Sequence, residues 1–292
     1  MKRKLFCELS PTAYRISRRK GIILRGIADA VRRTEFADAV SDVLLPSVVY
    51  RHSSLIRRVL GNTDMTLQEN KAHNLALAAP HINGLVIRPG EVFSFWKRVG
   101  EPSQRRGYRE GLAIVHGVPS SGIGGGLCQF TNLIHWMVLH SPLEIVEHHH
   151  HDGIDLFPDY GRTIPFGTGT SVGYSYIDYR FINTTEQAFQ LVVYVTDTHL
   201  CGELRSEIPL GVSYHVYSEG ERFVHRDGAV WREGRVWRRV VDKRTGNTIG
   251  NTLIRENNAR VMYDTSGLCV DETQTSVTTV SIGSHPSGST MR

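Results

Sequence analysis

Sulfur is scarce and scattered in this chain. Cys7, Cys128, Cys201 and Cys269 are four cysteines in 292 residues, and no two show a C-x-x-C spacing. That excludes a zinc ribbon and a dense disulfide framework, and it makes reduced thiols the expectation. No run of residues is apolar and long enough to span a bilayer as a helix. The opening MKRKLFCELSPTAYRISRRKGIILRGIA starts basic, but it holds no uninterrupted apolar stretch and no credible cleavage site. No secretory signal is read there, so the expectation is a cytoplasmic location with association to a membrane surface. Internal repeats and long low-complexity tracts are also missing. No helix-turn-helix or aromatic RNA-reading motif accompanies the basic residues, so no nucleic-acid partner is expected.

What is present is an ordinary globular balance. Hydrophobic residues make up 40% and charged residues 22%, enough to bury a sizeable core. The net charge of +5 is unevenly placed. Residues 1–60 carry 13 Lys/Arg against 5 Asp/Glu, a net of +8, and the remainder carries 21 against 24, a net of −3. Ile23, Ile27, Ala30 and Val31 recur at helical spacing among arginines, so residues 11–60 read as basic helix. Such a helix either packs on the main domain or touches an anionic surface. A second helix is predicted over Leu67 to Ala79, ended by Pro80. INGLVIRPGEVFSFW reads as strand, Pro-Gly turn, strand. LEIVEHHHH, SVGYSYIDYRFINTT and AFQLVVYVTD are strand-rich in composition. Residues 212–262 alternate between Gly turns as antiparallel hairpins. The fold class is therefore α+β: N-terminal helices, a central helix after a Gly-rich loop, and a mainly antiparallel sheet with C-terminal β-hairpins. The divisions are 1–66 basic helical, 67–207 a central domain, 208–275 a β-rich extension, and 276–292 a disordered Ser/Thr/Gly tail.

The chemistry concentrates at SSGIGGGLCQFTNLIHWMVLH. A helix starting near Leu127 turns ~100° per residue. Thr131, Asn132 and His135 then share a face with Cys128, while Phe130, Leu133, Ile134 and Met137 lie opposite. A cysteine in a first helical turn sits beside unpaired N–H groups and a partial positive charge, so its thiol pKa is expected to fall. Gly124, Gly125 and Gly126 lack a Cβ, so backbone can approach substrate closely, and their N–H groups can face an oxyanion as Cys128 attacks an acyl carbonyl. Gln129 and Asn132 complete the substrate-binding candidates. A buried, inert cysteine behind an ordinary glycine turn is the competing reading.

The run EHHHHDGIDLFPDY supplies a partner. If it continues a strand, His149 and His151 face one side and His148 and His150 the other. An imidazole can take the thiol proton, and Asp155 or Asp152 can orient it. The rival is a metal-dependent hydrolase using His149, His151 and an aspartate, although no cofactor or metal is expected in the leading reading. A third reading is a non-catalytic glycan- or peptide-binding module, with Trp96, Tyr108, Tyr160 and Phe166 lining a groove.

ENKAHNLALAAPHINGLVIRPGEVFSFW, GYREGL, GGGLCQFTNLIHW and YIDYRFIN, in that order, resemble the VanW family over about Glu69 to Glu207. That family carries a PGE-x-FSF turn, a GGG-x-CQ loop and a strand ending in asparagine. PFGTGTSVGYSYIDY stands where many relatives have a G-x-DA segment, so the chain resembles a distinct subgroup. The resemblance makes 67–207 a VanW-like domain. It implies a role in cell-wall biology or vancomycin resistance: cysteine-dependent acyl transfer of the L,D-transpeptidase type, or related hydrolysis, on peptidoglycan or a precursor peptide. Cys128 would be the nucleophile, with one of His149 to His151 as its partner.

Overall fold

A computed structural model of the chain describes residues 6, 9–58, 64–115, 118–150, 153–156, 158–159 and 164–272. The expected disordered tail, together with Cys7, His151, Asp152 and Tyr160, lies outside the described residues. In chain order the elements are α1 (Pro11–Val31), β1 (Ser47–Leu55), α2 (Met65–Ala78), β2 (Leu85–Ile87), β3 (Val92–Ser94), α3 (Phe95–Val99), β4 (Glu110–Val115), β5 (Val118–Ile123), α4 (Cys128–Leu139), β6 (Glu144–Glu147), β7 (Ile154–Asp155), β8 (Arg180–Ile182), β9 (Phe189–Val195), β10 (His199–Ser206), β11 (Val212–Arg226), β12 (Ala229–Asp242), β13 (Thr248–Val261) and β14 (Val270–Glu272). The fold is α+β with mainly antiparallel sheets, as the sequence predicts. The N-terminal region departs from expectation. It is helical only to Val31, and Ser47–Leu55 forms a strand paired with β10. VVYRHSSL alternates in burial, which suits the edge of a sheet better than a helix. The predicted strand after the Pro-Gly turn also stops early. Ser94 accepts the Lys97 N–H at 3.2 Å, and this cap starts α3 at Phe95.

Among the described residues four sheets result, ordered β1-β10-β9-β2, β3-β8-β6, β4-β5 and β14-β11-β12-β13-β7. Helix α4 lies across β10 and β1. It comes close because Gly202 of β10 has no side chain: a Cβ there would lie 2.8 Å from Met137 and 3.0 Å from Leu133. Phe130, Leu133, Ile134 and Met137, the face predicted to be apolar, are buried in the core with Phe93, Phe95, Phe181 and Phe189. Burying each such side chain contributes about 1.5–3 kcal/mol. Trp96 and Tyr108, expected to line a groove, belong to this core instead. The asparagine ending the matched strand has a structural task. Asn183 donates to Ile87 O at 2.9 Å and Gln187 O at 2.8 Å, which closes the β8–β9 turn onto β2.

The C-terminal hairpins return to the central domain. β13 pairs in parallel with β7, Arg260 opposite Ile154 and Val261 opposite Asp155. Arg232 of β12 is 2% exposed and reaches Asp155 at 3.2 Å, Asp159 and Glu221. Its guanidinium lies 4.4 Å from the centre of the Phe166 ring. The extension is thereby fastened beside the segment that follows the histidine run.

Candidate functional site

Cys128 is the first residue of α4, as the sequence places it, and it lines a cleft of about 560 Å³. Asn132 and Trp136 lie on the same helix, and His52 to Leu55 of β1 form one wall. Arg255, Asn257 and Asn258 of β13, with Ile154 and Asp155 of β7, form the other. The segment 166–170 and His150 close the rim. The wall from β13 comes from the C-terminal extension, more than 100 residues along the chain.

The glycine loop works differently from expectation. The Gly124 N–H donates to Arg109 O at 3.0 Å and the Gly125 N–H to Gly122 O at 2.9 Å, so neither remains for an oxyanion. The space their missing side chains leave is filled by protein. A Cβ on Gly125 would lie 2.1 Å from Gly111 O, and one on Gly126, whose φ is +93°, would lie 2.1 Å from Lys71 Cγ. Asn74 of α2 fixes the loop, donating to Gly125 O and Arg109 O, each at 3.0 Å, and accepting the Arg109 N–H at 2.8 Å. Close packing, and not access for substrate, is what the three glycines permit.

Cys128 is partly exposed to the cleft but crowded by protein on its other sides. Burial pushes its thiol pKa up; the Val172 N–H and its own N–H, both near the sulfur, act in the opposite direction and are outweighed. The predicted fall is thus reversed, because desolvation of a thiolate exceeds the effect of the helix terminus. Gln129 donates through Nε2 to Ser54 Oγ and Leu55 O, both at 2.9 Å, tying α4 to the β1 wall. Asn132 Oδ1 accepts from the Thr170 N–H at 2.6 Å and its hydroxyl at 2.8 Å, which holds the roof over Cys128. The Thr131 hydroxyl also meets Thr170 and donates to Cys128 O at 3.0 Å.

The histidines keep the predicted parity although β6 ends at Glu147. The His148 and His150 ring centres lie 3.9 Å apart with the rings tilted by 55°, and those of His148 and His135 lie 4.0 Å apart with a tilt of 38°. His135 is buried on α4 with Nδ1 3.2 Å from the Tyr179 hydroxyl, and burial with two neighbouring imidazoles holds its pKa well below the ordinary value. The column ends at His150 in the cleft. His149 points the other way, its Nε2 2.9 Å from Glu147 Oε1. His151 lies outside the described residues. Asp155 lines the cleft, but its carboxylate is taken by Arg232 at 3.2 Å and the Tyr263 hydroxyl at 3.0 Å. Burial pushes its pKa up against those contacts. Among the described residues no three His, Cys, Asp or Glu side chains gather as for a metal ion. Sequence reasoning missed Thr170 and Trp136, and it left the choice among His149, His150 and His151 open. The i, i+2 parity of the run was the signal for His150, but it could not say which side met the cysteine.

A further cleft, of about 630 Å³, adjoins the first across Trp136. It lies between β1 and β11, with Tyr50, His140, Tyr214 and His215 among its lining. Tyr50 and His140 stack at 3.8 Å.

Residues 70–205 match the VanW family, described as VanW like protein. The chain is 29% identical over 228 residues to the Vancomycin B-type resistance protein VanW of Enterococcus faecalis, covering 78% of this chain and 82% of that protein. It is 32% identical over 122 residues to the uncharacterized protein YoaR of Bacillus subtilis, covering 41% of this chain and 37% of that one. No solved structure matches the chain. The matched segment contains the glycine loop, Cys128, the histidine run and the asparagine-ended strand, and over residues 70–205 the chain carries a VanW-family segment.

Proposed function

We propose that the chain performs cysteine-dependent acyl transfer on peptidoglycan-type peptides, in the manner of an L,D-transpeptidase. The observation that carries this reading is the joint placement of Cys128 and His150 on one open cleft. The relative named for vancomycin resistance, which shares most of its length with this chain, directs the choice of substrate toward the cell wall. Burial keeps Cys128 a thiol near neutral pH. Proton removal must therefore accompany attack, which requires a base in the cleft. Cys128 Sγ bonds to the donor carbonyl carbon while its proton passes to His150. The oxyanion is received by the Cys128 and Val172 N–H groups. The C–N bond then breaks, the leaving amine takes the proton from His150, and a thioester remains. An acceptor amine gives its proton to His150 and attacks the thioester. The C–S bond breaks, the sulfur recovers the proton, and a cross-link is made; water in place of the amine gives hydrolysis. Gln129 and Asn132 act as positioning residues, through β1 and Thr170.

Intact-mass analysis of the full chain with a muropeptide donor tests this. A thioester adduct is expected on Cys128, absent in Cys128→Ala, which should melt like the parent. His150→Gln should slow turnover by about 10²-fold or more, whereas His149→Gln should have a smaller effect. Full turnover by Cys128→Ala would refute the reading. The raised thiol pKa favours one alternative, a peptide-binding module. In that case Cys128→Ala binds muropeptide as the parent does, and neither forms an adduct.

A further inference from the structure

Helix α1 is mounted with its polar side inward. Tyr14, Arg18, Gly21, Arg25 and Asp29 recur at helical spacing and face the body of the protein. Tyr14 meets the Tyr176 hydroxyl at 3.0 Å. Arg18 pairs with Glu101 at 2.7 Å and donates to Tyr174 O at 3.1 Å. Arg25 grips both oxygens of Glu147, at 2.5 and 2.7 Å, and donates to Tyr176 O at 2.8 Å. Asp29 accepts from both terminal nitrogens of Arg180, at 2.6 and 3.1 Å. Gly21 lets the helix settle on Tyr176, whose Cβ lies 3.1 Å from where a Cβ would stand.

The apolar side consequently faces outward. At ~100° per residue, Ile16, Ile23, Leu24, Ile27 and Val31 fall within an arc of about 100°. They are 53%, 61%, 53%, 54% and 77% exposed. A helix that served only to cover the core would present these side chains to the sheet and its arginines to water. Lys20 rises within the stripe and Arg19 borders it. Arg15, Arg32 and Arg33 lie close along the chain and are exposed. Among the described residues no carboxylate pairs with any of these five cations, so the apolar stripe carries a positive field. Phe6 and Leu9, just ahead of the helix, are 56% and 62% exposed.

We propose that this face of α1 docks on an anionic lipid bilayer, with the helix lying in the plane of the interface. Aliphatic side chains enter the acyl boundary and the basic residues meet the lipid phosphates, the pattern by which amphipathic helices bind membrane surfaces. At 21 residues the helix is about 30 Å long, yet among the described residues no helix is apolar enough to cross a membrane. The docked helix is tied to the cleft. Its Arg25 holds Glu147, which precedes the histidine column by one residue, so seating α1 fixes the orientation of the cleft to the bilayer.

Co-sedimentation of the full chain with large unilamellar vesicles tests this, independently of the chemistry proposed for Cys128. Binding to vesicles containing phosphatidylglycerol should exceed binding to pure phosphatidylcholine by at least about tenfold and should weaken at high salt. Ile23→Ser/Ile27→Ser should lose at least about tenfold in binding with an unchanged melting temperature, since both residues are solvent-exposed. Arg15→Gln/Arg19→Gln should remove the preference for anionic vesicles. Failure to bind, or equal binding by the Ile variant, would overturn the proposal. So would sedimentation velocity showing, without vesicles, a dimer that Ile23→Ser/Ile27→Ser dissolves, because the face would then belong to a second copy of the chain.

Discussion

Lys71 shows how the cysteine loop is held and what holding it costs. Its stem packs on Gly126, two residues before Cys128. It is 7% exposed, and among the described residues no carboxylate pairs with it. Burial, with Arg58 and Arg57 nearby, pushes its pKa down to about 8. Because the folded value lies below the unfolded one, the folded state is penalised wherever the amine is charged in both states. That penalty is full below pH 8 and disappears as pH rises through about 10.4. Lys71→Met keeps the contact with Gly126 and removes the charge. Urea denaturation at pH 7 should show it more stable than the parent, by up to about 3 kcal/mol, with the difference shrinking above pH 8. The thiol at Cys128 follows the same physics with the opposite sign, since burial there favours the neutral form that predominates at low pH.

At the scale of elements, α4 carries two different histidine environments. His135 joins the imidazole column that leads to the cleft, while His140 ends the helix under Tyr50 and against Trp136, 4.6 Å between ring centres. Burial pushes the His140 pKa down to about 4; the hydrogen bond to Trp136 O opposes this, and His215, His52 and Arg238 add to it. Between about pH 6.5 and 4 the unfolded chain takes up a proton that the folded chain refuses, so stability present above that window is lost as pH falls through it. The loss assigned to His140 is at most about 3 kcal/mol, and His135 acts in the same direction. Urea midpoints at pH 7.5, 5.5 and 4.5 should decline in the parent and decline less in His140→Gln.

The whole molecule is organised so that a distant extension completes the cleft. Arg232 on β12 holds Asp155, Asp159 and Glu221 together, and β13 lays Asn257 against Phe166 O at 2.7 Å. Removing the guanidinium leaves carboxylates uncompensated, one of them 4% exposed. Arg232→Ala should therefore destabilise the protein by about 3 kcal/mol. It should also loosen the wall formed by β7 and β13, read as faster amide exchange at residues 153–156 relative to β9. Unchanged exchange there would separate the extension from the cleft. The proposed docking of α1 belongs to this scale as well, since its ion pairs join the N-terminal helix to β8 and to the end of β6.

The sequence by itself determined the α+β class, the helix beginning at Cys128 with its buried Phe130–Met137 face, the C-terminal hairpins and the VanW-family match over residues 70–205. Each rests on local period, turn chemistry or a contiguous motif, and each is decided by residues near one another in the chain. Only the tertiary structure decided that Lys71 and Gly111 fill the space beside the glycines, that the cysteine is desolvated, and that His150 lines the same cleft as Cys128 while His149 turns to Glu147. It also decided that α1 turns its apolar side outward. These outcomes follow from packing between segments far apart in sequence, and from the dielectric environment that packing creates, neither of which a local pattern encodes.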